Sequence, residues 1–193
     1  MATTYKEVTT TGPIEWARIF EDNRDMNGYE GMYEDCEGAY TVVQVLTKAE
    51  YEKLKKAGSQ KKPIQSRMMD GVIAVKFERR HLVKNKAGDI VAKAGGAPKV
   101  IGPNGQPWTQ EDGLIGNGTT AEITNLIQTF DVTDETGKKS RVSRTSLSKV
   151  KILELIEYAK EEEEARAALK AQKAEGNGEE EEEEERLKTQ RSK

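Results

Sequence analysis

Two kinds of chemically useful side chain, cations and aromatics, are interleaved in this sequence. Lys76, Arg79 and Arg80 lie on or beside the β-type run that carries Phe77, and His81, Lys84 and Lys86 follow closely. Trp16, Tyr29, Tyr33, Tyr40 and Trp108 fall in or near adjoining strands and loops, and Arg67 and Lys99 flank the basic stretch. Cations neutralise phosphates and aromatic faces stack on planar rings, so this mixture suits a groove for a polyanion that carries bases. In a strand, alternate side chains point to opposite faces, so Phe77 can share a face with Arg79 but not with Lys76. Either Phe77 and Arg79 line a groove together, or Phe77 is core and Lys76 and Arg80 lie outside. Buried aromatics supply much of a small barrel's packing, which favours the core for any one ring. Tyr29 and Tyr33 sit in a polar loop with no obvious core to enter, which makes them the better stacking candidates.

Other chemistries lack their parts. One cysteine, Cys36, excludes an internal disulfide framework and multi-cysteine metal sites. One histidine, His81, excludes His-rich metal constellations. It lies among Arg79, Arg80 and Lys84 with no evident orienting carboxylate, so phosphate contact suits it better than general base catalysis. Gly116-Asn117-Gly118-Thr119-Thr120-Ala121 matches GxGxxA, but β-like residues follow it where a dinucleotide site requires a helix. A glycine turn is expected there, and no cofactor or metal is called for. Carboxylates are plentiful, so a small metal-dependent nuclease is the rival from the enzyme class.

The charge is unevenly spread over the 193 residues, whose net is -3. Residues 1–47 carry nine acids and three bases, while residues 48–99 carry five acids and fourteen bases. A block of seven glutamates, 179–185, lies near the C-terminus. A basic stretch beside an acidic tail suits a polyanion binder whose own tail is polyanionic. Solvated surface lysines are the plain alternative, and a scaffold that binds another protein through its acidic tail is the rival from the interaction class. Hydrophobic residues make up 35 % and charged residues 34 %, against roughly 45–50 % and 25 % in typical domains, so the core should be modest. The polar, Thr-rich start reads as no signal peptide, and no apolar run reaches the ~20 residues that cross a bilayer. A soluble protein of a reducing compartment is expected.

The elements that must position these residues are mostly strands. Residues 14–20 read as a strand with Ile14, Trp16 and Arg18 on one face; 39–46 and 71–80 read as two more. Thr47 with Glu50 three residues on is a capping box for a helix over 48–57, with Gly58 just past its end. A short strand at 98–101, a strand over 121–130, a turn at 134–137 and one or two strands in 142–156 complete the domain. Five or six short strands, one helix and glycine and proline turns predict an all-β fold, a small barrel. Residues 159–174 suit an exposed helix, and the glutamate block suits disorder.

The order Gly12-Pro13-Ile14-Glu15-Trp16-Ala17-Arg18-Ile19, Gly38-Ala39-Tyr40-Thr41-Val42, Val75-Lys76-Phe77, Pro98-Lys99-Val100-Ile101 and Ile115-Gly116-Asn117-Gly118-Thr119 resembles the single-stranded DNA-binding proteins of tailed bacteriophages. The resemblance spans about the first 158 residues and rests on order and spacing. It implies a five- to six-stranded OB-fold barrel over 1–158 with an acidic tail over 159–193. It also implies sequence-independent binding of single-stranded DNA in replication, recombination and repair, without catalysis, in the cytoplasm of an infected bacterium. Phosphate contacts are then expected from Lys76, Arg79, Arg80 and Lys99, with Arg67, Lys84 and Lys86 as further candidates. Stacking is expected on Tyr29, Tyr33, Trp16 and Trp108. Viral replication proteins are the expected partners of the tail, and the chain is expected to be a monomer or dimer. The sequence departs from the family at its end, Arg186 to Lys193, which is basic and lacks the terminal aromatic that recruits partners in that family.

Overall fold

The computed structural model describes residues 3–85, 87–92 and 94–157. The expectations for the tail and for Lys86 lie outside the described residues. The chain forms β1 (Thr4–Arg18), β2 (Ala39–Leu46), α1 (Lys48–Lys56), β3 (Ile73–Arg80), β4 (Lys99–Ile101), β5 (Thr120–Thr133) and β6 (Lys139–Glu154). These strands make one six-stranded mixed sheet in the order β3-β2-β1-β5-β6-β4, and the described residues are mostly β with one α-helix among them. The ladder is open, with β3 and β4 at its edges and only the β4–β6 pair parallel. No helix among the described residues is long and apolar enough to cross a membrane.

β1 divides its pairing between two neighbours. Its first part, Thr4 to Pro13, runs antiparallel to β5, and Ile14 to Arg18 runs antiparallel to β2. The handover falls at Gly12-Pro13, where a Cβ on Gly12 would stand 2.1 Å from the Val45 carbonyl oxygen. Only glycine permits that approach of two backbones. Sequence patterning missed the first part of β1 because it is polar. Its threonines are held in the strand by pairing with β5, and Thr10, fully buried, donates from Oγ1 to Gln44 Oε1 at 2.6 Å. The Gln44 amide in turn donates to the carbonyls of Thr10 and Ala121, tying β1, β2 and β5 together.

The helix forms as its signals predict, with one change. The Glu50 N–H donates to the Thr47 hydroxyl, but the Glu50 carboxylate accepts from the Thr11 N–H at 2.9 Å and so docks α1 onto β1. Leu54 is fully buried beneath the helix.

A single apolar cluster joins Ile14 of β1, Val42 of β2, Phe77 of β3, Val100 of β4, Ile123 of β5 and Leu147 of β6. The sheet therefore curls around its core. The curl brings β3 close to β6, which is not its ladder neighbour, and Arg79 Nη1 donates to the Leu147 carbonyl at 3.5 Å. Side chains and not a strand ladder span this seam.

Candidate nucleic-acid interface

Three of the expected aromatics are inside. Phe77 is fully buried in the core, which resolves the two readings of its face in favour of packing. Tyr40 is fully buried as well; its hydroxyl donates to Glu21 Oε2 and lies 2.8 Å from His81 Nδ1. Tyr33 corrects the expectation drawn from its loop, being only 1 % exposed. Short 3-10 turns at Glu21–Asn23, Tyr29–Gly31 and Glu34–Cys36 fold the loop back, so the Tyr33 hydroxyl donates to Glu78 Oε2 at 2.5 Å. Lys76 Nζ lies 5.4 Å from the Tyr33 ring centroid. Burial, and next the hydrogen bond to Glu78, push the Tyr33 phenol far above its ordinary value. A ring enclosed in this way has no face for a base.

His81 is better tethered than its sequence neighbours suggest. His81 Nδ1 and the Tyr40 hydroxyl share a hydrogen bond, and a carboxylate the sequence did not point to, Glu21, lies 3.8 Å from Nδ1. The hydrogen bond from Tyr40 is the main cause that lowers the Glu21 pKa; the nearby charges of Arg24 and His81 add to it.

The cations separate by neighbourhood. Arg79 shares the core face with Phe77 and donates to the Gly95 carbonyl from Nε and Nη2 and to the Leu147 carbonyl from Nη1. Burial lowers its pKa, and its donors are committed to carbonyl oxygens. Arg79 is thus a structural stitch, contrary to its expected phosphate role. Arg80 is exposed and pairs with Asp35 at 3.3 Å, and Lys76 lies 4.0 Å from Asp25. Lys84 is exposed after β3, and Lys99 lies exposed on β4, at the other end of the strand order. Trp108 is half-buried, with Nε1 donating to the Gly113 carbonyl at 3.0 Å.

Trp16 and Tyr29 keep exposed rings, 45 % and 76 %. Their settings differ. Residues 21–38 around Tyr29 hold seven acids and one base, a field that repels a polyanion. Trp16 occupies a β-bulge between Glu15 and Arg18, with φ at 52°, and its N–H donates to Asn117 Oδ1 at 2.7 Å. The bulge breaks the alternation expected over 14–20: Ile14 and Glu15 are both buried, and Trp16 leaves the face of Ile14 for solvent. Glu15 accepts from the Ser66 hydroxyl at 2.5 Å and from the Arg67 N–H at 3.4 Å. That anchor holds the Arg67 guanidinium carbon 5.8 Å from the Trp16 ring centroid. The left-handed backbone at this non-glycine residue turns the indole to solvent beside a guanidinium.

Beside the seam between β3 and β6 lies a cleft of about 540 Å³. Tyr5, Gln128 and Arg144 line it, and none of them stood out in the sequence. The cross-strand register Tyr5↔Gln128↔Arg144 was the missing signal, and it spans three strands distant in the chain.

The glycine turn at 116–118 is a structural junction. Gly116 donates to the Ile156 carbonyl, Gly118 donates to the Ile14 carbonyl, and strand β5 follows. Comparison with known protein families, with curated proteins and with solved structures finds no match to this chain.

Proposed function

We propose that residues 1–158 bind single-stranded DNA without sequence preference, on a curled sheet of the OB type, and that the chain is not an enzyme. The observation that carries this reading is the Trp16–Arg67 pair. An indole held out to solvent offers a stacking face that every base can use, and the guanidinium beside it can reach a phosphate. The strand order supports the OB reading, because β1 is shared between a β2–β3 unit and a β5–β6 hairpin and β3 lies close to β6. The family resemblance extends the proposal to viral replication, recombination and repair, with the acidic tail tuning DNA or partner binding.

Fluorescence titration with oligo(dT) at two salt concentrations tests the reading. Quenching that weakens with salt is expected from Trp16, whereas Trp108, with its indole N–H bonded inside the protein, should respond little. Trp16→Phe should remove most of the signal. Neither quenching nor a mobility shift at low salt would sink the proposal and favour the scaffold reading. Adding magnesium to labelled oligonucleotide should leave it full length; shortened strands would instead identify a nuclease.

A further inference from the structure

The seam cleft is separate from the Trp16–Arg67 pair. Tyr5 and Trp16 stand near opposite ends of β1, eleven residues apart, which is ~36 Å of strand contour at ~3.3 Å per residue. The cleft is lined by the apolar side chains of Val83, Val91 and Leu126 together with Tyr5, Arg80 and Arg144. Tyr5 is 63 % exposed, and its hydroxyl lies 3.5 Å from the Gln128 amide nitrogen. Arg144 has no ion-pair or hydrogen-bond partner among the described residues, whereas Arg79 at the back of the cleft is bound to carbonyls. Glu78 also lines the cleft, but its carboxylate is occupied by Tyr33 and Lys61.

Apolar lining, an aromatic face, an amide and a guanidinium without a partner among the described residues are the complement of one nucleotide. We infer that the seam cleft is a nucleotide subsite, in which the base stacks on Tyr5 against the apolar lining and Arg144 binds its phosphate. The inference rests on the single-stranded DNA reading and adds a second contact to it. A strand that occupies both places must run along the length of β1, so affinity should rise sharply once an oligonucleotide is long enough to reach from one to the other.

The test uses the full chain and labelled oligo(dT) of increasing length. Tyr5→Ala should weaken binding of long oligonucleotides at least about fivefold, and Tyr5→Phe should restore it, because stacking needs the ring and not the hydroxyl. Arg144→Ala should lower the log–log salt slope by about 0.7, the loss of one phosphate contact on a single strand. Both side chains are exposed, so unchanged melting temperatures are expected for all three variants. Oligonucleotides carrying 5-iododeoxyuridine should photo-crosslink to Tyr5. If Tyr5→Ala and Arg144→Ala bind as the native chain does while Trp16→Ala binds weakly, the subsite is wrong and the broader reading stands. If the native chain binds no oligonucleotide at low salt, both fall together.

Discussion

Arg79 and Arg80 are adjacent and alike in sequence, yet strand alternation gives them different work. Arg79→Ala removes donors to the Gly95 and Leu147 carbonyls and leaves those oxygens short of partners, which should cost about 1–3 kcal/mol in thermal unfolding. Arg80→Ala, on the exposed side, should leave the melting temperature unchanged and reduce the salt slope of DNA binding by about 0.7. Glu78 gives a pH prediction. Burial alone would raise its pKa, but the charge of Lys61 and the hydrogen bonds from Tyr33 and Lys61 outweigh it and hold the carboxyl below its ordinary value. A depressed folded-state pKa contributes stability that is present above the unfolded value and lost as pH falls through the folded one. Tyr33→Phe should therefore destabilise the domain by about 1–2 kcal/mol near neutral pH. The gap should narrow as pH falls through the depressed folded-state pKa of Glu78, once the carboxyl is protonated in both forms; a melting-temperature series across acid pH reads it.

At the scale of elements, two features of β1 set its shape, the handover at Gly12 and the bulge at Trp16. Gly12→Ala would drive a Cβ into the Val45 carbonyl and should cost at least about 2 kcal/mol in chemical denaturation. Trp16→Gly should behave oppositely. It suits the left-handed backbone, so stability should stay within about 1 kcal/mol of the native chain while DNA affinity falls. These elements also mark what the sequence could tell. The Thr47 cap, the Gly58 stop and the turn at 134–137 were legible because their signals are local. The Thr-rich half of β1 was not, since its strand is imposed by a partner more than a hundred residues away. Tyr33 was misread for the same reason: its pocket is built from Lys76 and Glu78 of another strand. Trp16 was legible as a stacking candidate, but the bulge that turns its ring away from the face of Ile14 was not, because simple alternation places the two together.

For the whole molecule, the proposed binding of DNA makes the uneven charge of the chain testable. Residues 159–193 carry twelve acids and eight bases, and on the proposed function like-charge repulsion from this net negative segment should weaken binding of a polyanion. A chain ending at Tyr158 should bind oligo(dT) more tightly than the full chain, and the difference should shrink as salt screens it over ~10 Å at 0.1 M. Equal affinities across the salt series would show that the tail only keeps the protein soluble.

The division of β1 between two neighbours also has a consequence for synthesis on the ribosome. Thr4 is paired with Thr129, so β1 must wait for β5, made 125 residues later. At ~5–20 residues per second that wait is roughly 6–25 s, during which β1 has an unsatisfied edge along most of its length. A hydrophobic strand left in that state would invite pairing with other nascent chains. The run Thr4-Tyr5-Lys6-Glu7-Val8-Thr9-Thr10-Thr11 is instead polar, with one acid and one base among its first four residues. The composition that hides this strand from hydrophobic patterning is therefore also what keeps it soluble until β5 emerges.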